Sequence, residues 1–315
     1  MGDTSEFQVV LGASGGLGNA VVRELVKGGE KVRAVNRSGH IDVPPNVEIA
    51  KADMLDRESI FKACQGASAI FHCVNVPYPE WREKLPGITA NIIEAAAASN
   101  AKLVYGDNLY MYGFVRGPIK ESLTYAARGS KGSIRIHIAN QIDDAHQSGK
   151  VRAVTGRAPD YYGPHAENAA MGSRVFVAAL KGKAATALGN VDKKHTYIFV
   201  DDFARGLILL SKAEEAFGET WHIPSAETLT SRQFLNMVYE AAGHQPKVRA
   251  ASKTLVSIMG IFSPLMRELK EMMYQWENDY VVNHSKFMEA FDFKTTQHQE
   301  AIQTTLDWYR AGYNL

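Results

Sequence analysis

Short apolar runs and longer amphipathic segments alternate through the first half of the chain. The short runs predict strands, and apolar residues recurring at helical spacing predict helices between them. Strands that alternate with helices predict an α/β fold, with a doubly wound parallel sheet covered by helices on both faces. We predict strands at 7–11, 31–36, 47–51, 68–74, 101–106 and 151–156, and helices at 17–27, 57–65, 80–99 and 132–148.

The alternation changes after residue 156, where the loops lengthen. VDDFARGLILL still predicts a helix after a strand-like run, and ETWHIP predicts a further strand of the sheet. The other helices, which no longer alternate with strands, are predicted at 173–181, 230–242, 252–277 and 297–311. We therefore expect a first domain over 1–156, to which the chain returns at about 197–224, and a smaller, mainly helical domain from 157–196 and 225–315.

A glycine-rich turn joins the first strand to the first helix in QVVLGASGGLGNAVVREL. Gly12 permits a tight turn, Gly15 lets the backbone approach a phosphate, and Gly18 lets helix and strand pack closely. The helix start adds free N–H groups and a positive dipole end. The turn therefore predicts a dinucleotide site, the alternative being an ordinary glycine-rich turn. The residues expected there are Gly12, Ser14, Gly15, Gly16, Leu17 and Gly18.

The end of the second strand indicates which dinucleotide is preferred. Asn36 stands where a ribose-binding carboxylate is usual, and Arg37 follows it. A guanidinium binds a 2′-phosphate bidentately, which favours NADP, with NAD possible and a solvated arginine as the alternative. Asp53 is expected to accept a hydrogen bond from the adenine amino group, unless it caps the next helix, a role that Asp56 could fill. Met54, Cys73 and Asn75 complete the predicted cofactor site.

Several motifs resemble the extended branch of the short-chain dehydrogenase/reductase superfamily, which includes nucleotide-sugar epimerases and dehydratases. They are GASGGLG, ADM, FHCVNVPY, TANIIEAAAA, LVYGDNLYMYG, RAPDYYGP and HTYIFVDDFARG. The resemblance implies a Rossmann cofactor domain over 1–156, a smaller substrate domain and an active site between them. It also implies a homodimer, for which helix 80–99 offers an apolar stripe unless that stripe packs within one subunit.

The chain departs from this family at the catalytic positions. Family enzymes use a Tyr followed four residues later by a Lys, and no such pair occurs in the sequence. In GSKGSIRIHIANQI, Lys131 occupies the tyrosine position and Arg135 the lysine position. The family's catalytic Ser or Thr position falls on Asn108.

The three substitutes can be given hypothetical roles. Asn108 would orient a substrate oxygen by hydrogen bonding, and Arg135 would hold ribose hydroxyls. Lys131 would move the proton, because nearby like charges and partial burial favour its neutral form. The alternative is that Lys131 is a surface or phosphate-contacting lysine and that the chemistry lies elsewhere or is absent.

The substrate end is expected around the loop RAPDYYGP, at the carboxyl edge of the sheet. HTYIFVDD resembles a family segment that begins with an Arg contacting the substrate's diphosphate, but here it begins with His195. Tyr162 is expected to face the substrate or to pack. The residues assigned to substrate binding are Tyr78, Tyr110, Tyr161, Tyr162 and His195.

Composition and charge narrow the function classes. The formal net charge of +1 argues against a nucleic-acid or membrane-surface binder. Cys64 and Cys73 lack metal or redox spacing, and no cluster predicts a metal site. The polar opening MGDTSEF has no secretory signal, and the apolar run Leu255–Met266 is shorter than the roughly 20 residues of a membrane span. We expect a cytoplasmic protein with a small-molecule substrate.

The sequence thus predicts an NAD(P)-dependent oxidoreductase or epimerase-like enzyme. Hydride would pass between nicotinamide C4 and a carbinol or carbonyl carbon of a small polar substrate that could be sugar-derived. One alternative is a non-catalytic NAD(P)-binding redox sensor or scaffold, which the missing Tyr–Lys pair favours. A further alternative is a structural partner protein whose helical second half mediates assembly.

Overall fold

A computed structural model describes residues 7–313. The opening residues, which include most of the segment used to judge a secretory signal, lie outside this range. The strands are β1 (Phe7–Leu11), β2 (Lys31–Asn36), β3 (Glu48–Lys51), β4 (Ala69–His72), β5 (Lys102–Asp107), β6 (Ala153–Arg157), β7 (Tyr161–Tyr162), β8 (Ala185–Leu188), β9 (Lys194–His195), β10 (Ile198–Phe199), β11 (Thr220–His222), β12 (Leu229–Thr230) and β13 (Val248–Ala251).

The main sheet has seven strands in the order β11-β6-β5-β4-β1-β2-β3. All of its pairings are parallel, which confirms the predicted doubly wound α/β fold. The predicted strand in ETWHIP is β11, which pairs with β6. The strand order reverses at β1, and a crevice at such a point is where open α/β sheets bind ligands.

Helices cover both faces of the sheet. They are α1 (Gly16–Lys27), α2 (Arg57–Cys64), α3 (Trp81–Ala98), α4 (Ser130–Gln147), α5 (Ser173–Leu180), α6 (Val200–Lys212), α7 (Ser231–Ala241), α8 (Lys253–Met259), α9 (Pro264–Met272), α10 (Tyr274–Glu277), α11 (Ser285–Ala290) and α12 (His298–Tyr313). On one face α1 packs against α6, and on the other α3 packs against α2 and α4. A further core lies outside the sheet, between α5, α7 and α12.

The prediction of one helix over 252–277 is wrong. The segment forms α8, α9 and α10 instead, because α8 ends at Gly260 and α9 restarts at Pro264. Proline lacks a backbone N–H and is favoured in the first turn of a helix, and the Ser263 hydroxyl caps this turn by accepting from Met266 N.

The apolar stripe of helix 80–99 is buried within the subunit. Trp81, Leu85, Ile88 and Ile92 belong to the core under α3. This is the packing within one subunit that the sequence analysis offers as the alternative to a dimer interface.

Two further observations concern the described residues. None of the helices within 7–313 has the length and apolar character needed to cross a bilayer. Across the same residues, no three His, Cys, Asp or Glu side chains are grouped to hold a metal ion.

Candidate active site

The loop between β1 and α1 places the three predicted glycines at the carboxyl edge of the sheet. Gly12 has a φ of +83°, and a side chain there would collide with the backbone of Cys73. A side chain at Gly18 would collide with the carbonyl oxygen of Gly12. Ser14 and Gly15 are exposed, and the first turn of α1 carries no acidic side chain. The start of α1 therefore presents the positive end of its dipole at this loop, while the Gly15 N–H itself donates to the Gly12 carbonyl at 3.0 Å.

The loop that follows β7 crosses over the start of α1. Gly16 and Leu17 are both buried. A methyl group at Gly16 would lie 3.1 Å from Ala166 Cα and 3.2 Å from the carbonyl oxygen of His165. His165 has a φ of 60°, in the left-handed region that non-glycine residues rarely adopt. Residues 163–166 therefore form a wall of the crevice opposite the glycine loop.

The end of β2 holds the predicted ribose site. The Asn36 amide is buried and accepts from Gly39 N at 2.7 Å, while its Nδ2 donates to the His40 carbonyl at 2.9 Å. Asn36 thus shapes the loop rather than facing a ligand. Arg37 is exposed, and within residues 7–313 it has no ion pair or hydrogen bond to another side chain. Its guanidinium is therefore available to an anion beside the glycine loop.

The residues assigned to the adenine and nicotinamide ends differ in exposure. Asp53 is exposed and accepts from Leu55 N at 2.9 Å, while Asp56 supplies the cap of α2. Met54 is buried in the core, and Cys73 is partly buried with its carbonyl against Gly12. Asp53 therefore keeps one carboxylate oxygen for a ligand, whereas Met54 contributes packing.

The predicted catalytic residues lie on neighbouring elements. Asn108 follows β5, and Lys131 and Arg135 belong to the first two turns of α4. Asn108 Oδ1 accepts from Tyr110 N at 3.0 Å, and Lys131 Nζ donates to the Tyr78 carbonyl at 2.9 Å. The hydroxyls of the two tyrosines are 2.7 Å apart. The tyrosines therefore connect the asparagine to the lysine.

Lys131 is held by two acids of α9. Its side chain is 3% exposed, and Nζ lies 2.5 Å from Glu268 Oε2. The Lys131 backbone N–H donates to Glu271 Oε1 at 2.8 Å. Glu268 is itself 30% exposed, so it connects the buried ammonium with solvent. The sequence hypothesis places like charges beside Lys131, whereas the structure places the carboxylate of Glu268 there.

Arg135 is part of a buried polar network that the sequence analysis did not identify. It donates from Nη1 to Tyr105 Oη at 2.6 Å and to Asp107 Oδ1 at 3.2 Å, and from Nη2 to Asn75 Oδ1 at 3.3 Å. Its buried Nε has no hydrogen-bond partner within residues 7–313. That N–H is enclosed by the protein, and the guanidinium lies over the Trp81 ring, 4.2 Å from its centroid.

Arg157, at the end of β6, completes the network. It donates to Tyr112 Oη at 2.8 Å and to Tyr125 Oη at 2.7 Å, and its Nε lies 3.5 Å from Asp107 Oδ2. Burial acts to lower the pKa of Arg157, but Tyr112 and Asp107 outweigh burial and hold this pKa above its usual value. One buried carboxylate therefore balances two buried guanidinium groups.

The positions of Asp107, Arg157 and Glu268 in the chain explain why the sequence did not identify them as site residues. Asp107 and Arg157 end two buried strands, and a charged residue at a strand end is a sequence signal that could have found them. Glu268 carries no such signal, because its contact joins residues 137 apart in the chain.

The tyrosines of the site are neutral acids rather than activated bases. Burial raises the pKa of Tyr78 to about 12, and the pKa of Tyr110 lies well above its usual value for the same reason. Burial and then Asp160 raise the pKa of Tyr161. None of these three hydroxyls is in a position to act as a base near neutral pH.

Two residues assigned to substrate binding lie elsewhere. Tyr162 is fully buried in the core between α5, α7 and α12, and its hydroxyl is 2.9 Å from His298 Nδ1. It packs, and it does not face a substrate. His195 is also buried, stacked on Tyr197 and Tyr280. Its Nε2 lies 3.1 Å from Asp160 Oδ2 without hydrogen-bond geometry. The position of the family's diphosphate-contacting Arg is therefore enclosed.

Two buried histidines predict a pH dependence of stability. Burial lowers the pKa of His72 and of His222 to about 3. An unfolded histidine takes up a proton as the pH falls below about 6.5, whereas the folded ones stay neutral until about pH 3. Each histidine should therefore lower the free energy of unfolding by up to about 1.4 kcal/mol for every pH unit of acidification between about pH 6.5 and pH 3. Urea unfolding of wild type and His222→Gln at pH 7, 6, 5 and 4 measures this, and the variant should show a shallower decline. Parallel curves would contradict the assignment.

The parallel sheet, the glycine turn over a helix start and the residues around α4 define a Rossmann-type dinucleotide-binding protein. The chain belongs to the NAD dependent epimerase/dehydratase family, whose model matches residues 8–223. This confirms the resemblance to the extended dehydrogenase/reductase branch. The Glu268 contact lies outside the matched range.

Individual relatives are more distant. A 2-alkyl-3-oxoalkanoate reductase of Shewanella oneidensis is 26% identical over 274 residues, covering 80% of this chain and 70% of the relative. A decarboxylating sterol-4-alpha-carboxylate 3-dehydrogenase of Mus musculus is 24% identical, covering 75% and 68%. An epimerase structure from Methanothermobacter thermautotrophicus superposes with a TM-score of 0.84 at 17% identity, covering 98% and 94%. The last likeness shows the shared fold.

The residues present fit a nicotinamide dinucleotide. The exposed backbone at Ser14 and Gly15 and the exposed guanidinium of Arg37 offer an anion cradle and a cationic donor at one edge of the sheet. The family is NAD-dependent by its description.

Proposed function

We propose that the protein is an NADP(H)-dependent oxidoreductase that interconverts a carbonyl and a carbinol on a small polar substrate. The observation that carries this proposal is the position of a buried lysine, Lys131, which lies at the family's catalytic tyrosine position and pairs with Glu268. When bound, the reduced nicotinamide supplies a hydride to a carbonyl carbon. The protein must then supply a proton to the carbonyl oxygen.

Lys131 is the proposed proton donor. The Tyr78 carbonyl and Glu268 fix the position of its Nζ. Glu268 reaches solvent and can return a proton to the lysine after each reaction. Asn108 Oδ1 is occupied by Tyr110 N, which orients the amide so that Nδ2 can donate to the substrate oxygen. Arg135, fixed by Tyr105, Asp107 and Asn75, would place its positive charge beside the cofactor ribose.

The substrate is proposed to lack a nucleoside diphosphate. His195, at the position of the family's diphosphate-contacting Arg, is buried between aromatic rings and cannot bind a phosphate. The two relatives described above act, by their names, on an oxo acid and on a carboxylate beside a reacting carbon. A small oxo acid therefore fits better than a sugar nucleotide.

Discrimination between cofactors tests the role of Arg37. Arg37→Ala should weaken NADPH binding by about 10- to 100-fold, because it removes a charged hydrogen-bond donor for the 2′-phosphate. NADH binding should change little. Fluorescence titration with each dinucleotide measures both, with Arg57→Ala, an exposed arginine of α2, as the matched control. An equal loss for NADH and NADPH would place Arg37 outside the phosphate site.

Turnover is tested with a carbonyl panel. Oxidation of NADPH is followed at 340 nm with 3-oxo acids, simple ketones and sugar nucleotides, on protein that binds NADPH. Turnover with an oxo acid and none with sugar nucleotides supports the proposal. Turnover restricted to sugar nucleotides would overturn the substrate assignment.

A non-catalytic dinucleotide-binding protein is the second candidate. It is favoured because Lys131 and Arg135 both form internal contacts, with Glu268 and Asp107. Tight NADPH binding without turnover on the whole panel would support a sensor or scaffold role.

A further inference from the structure

The segment 253–272, which comprises α8, a turn and α9 and is called the hairpin here, exposes an unusual amount of apolar surface. Phe262 is 87% exposed and Ile261 is 67% exposed, at the turn between the helices. Across residues 7–313, most of the large exposed apolar side chains lie in this segment. Those of the hairpin are Leu255, Ile258, Met259, Ile261, Phe262 and Leu265.

The exposed face is held in place by a buried one. Val256, Leu269 and Met272 belong to the core, and Arg267 Nε donates to the Gly260 carbonyl at 3.2 Å, which fixes the turn. A contiguous exposed apolar patch of this kind marks a binding surface.

The acidic and the basic side chains of the hairpin lie on different faces. Its two acids, Glu268 and Glu271, both turn toward Lys131 on α4. The three basic residues Lys253, Arg267 and Lys270 are exposed. The outer face is thus an apolar tip with cations around it, while both acids of the hairpin contact α4.

We propose that the hairpin docks on an anionic lipid surface, with Ile261 and Phe262 in the acyl boundary and the cations at the head groups. Apolar and aromatic side chains flanked by Lys and Arg are typical of elements that lie in a membrane interface. The helices α8 and α9 have seven and nine residues, so they lie in the interface and do not span. The whole-chain net charge of +1 does not conflict with this, since the cations are local. The inference does not depend on the catalytic proposal.

Vesicle flotation tests the docking surface. The full-length protein should float with vesicles that contain 30% phosphatidylglycerol and should stay behind with pure phosphatidylcholine. Ile261→Ser with Phe262→Ser should lower the partition coefficient at least about 100-fold, because two large side chains no longer enter the lipid. Lys253→Gln with Lys270→Gln should lower it about fivefold per charge removed.

The controls separate docking from folding and from self-association. Phe114→Ser removes an exposed phenylalanine outside the hairpin and should float like wild type. Far-UV circular dichroism and NADPH binding show whether each variant is folded. The proposal would be overturned if the protein floated equally with both kinds of vesicle, or if the double serine variant floated like wild type. It would also be overturned if the protein bound no vesicles but formed a concentration-dependent dimer that the same variant abolished.

Discussion

Replacement of Lys131 by methionine is expected to lower NADPH-dependent turnover by about 10²- to 10⁴-fold, the contribution of a positioned general acid. Methionine keeps most of the side-chain volume at a position that is 3% exposed, but it cannot donate a proton or pair with Glu268. The dissociation constant for NADPH should stay within about threefold, because the glycine loop and Arg37 are untouched. Single-turnover kinetics and fluorescence titration measure the two quantities.

The comparison needs two companion variants. Lys62→Met removes an exposed lysine of α2 and should leave turnover unchanged. Glu268→Gln should slow turnover less than Lys131→Met does, because the lysine keeps its contact with the Tyr78 carbonyl but loses its counter-ion and its proton route. If Lys131→Met turns over as fast as wild type, Lys131 has no part in the proton transfer.

Asp107→Asn is expected to destabilise the protein by about 3–5 kcal/mol, the usual cost of breaking a buried ion pair from one side. The asparagine has nearly the same shape, but it leaves the charges of Arg135 and Arg157 buried without their shared carboxylate. Urea unfolding at pH 7, followed by circular dichroism, measures the change in the free energy of unfolding.

Asp192→Asn provides the matched control. Asp192 also pairs with an arginine, Arg232, but both groups are exposed to solvent, so the same chemical change should alter the unfolding midpoint little. Equal shifts for the two variants would mean that the Asp107 network contributes no more than a surface ion pair.

Local sequence patterns predicted much of the fold. The apolar runs from β1 to β6 and the turn at Gly12 follow rules that act within about 20 residues, and the structure confirms the sheet that they predict. The hairpin shows the limit of such rules, because apolar content suggested one long helix while Gly260 and Pro264 divide it. Which of its apolar residues face outward could not be inferred from composition.

The candidate site was predictable to a smaller extent. The glycine loop and the exposed Arg37 lie where the motifs place them. The pairing of Lys131 with Glu268 was not predictable, because it depends on how the chain returns after residue 223. Tyr162 sits next to Tyr161 in the sequence, yet strand geometry points neighbouring side chains to opposite sides, and only tertiary packing decides which one is enclosed.

The packing of α6 on α1 has a consequence for synthesis on the ribosome. Leu17, beside the glycine loop, approaches Gly106 of β5 together with Phe203 and Leu207 of α6. The first half of the chain therefore lacks one wall of its core until some 210 residues have been translated and have left the exit tunnel. A nascent chain stalled at residue 156 should remain protease-sensitive at the β1–α1 loop, and one stalled well beyond residue 222 should be protected there.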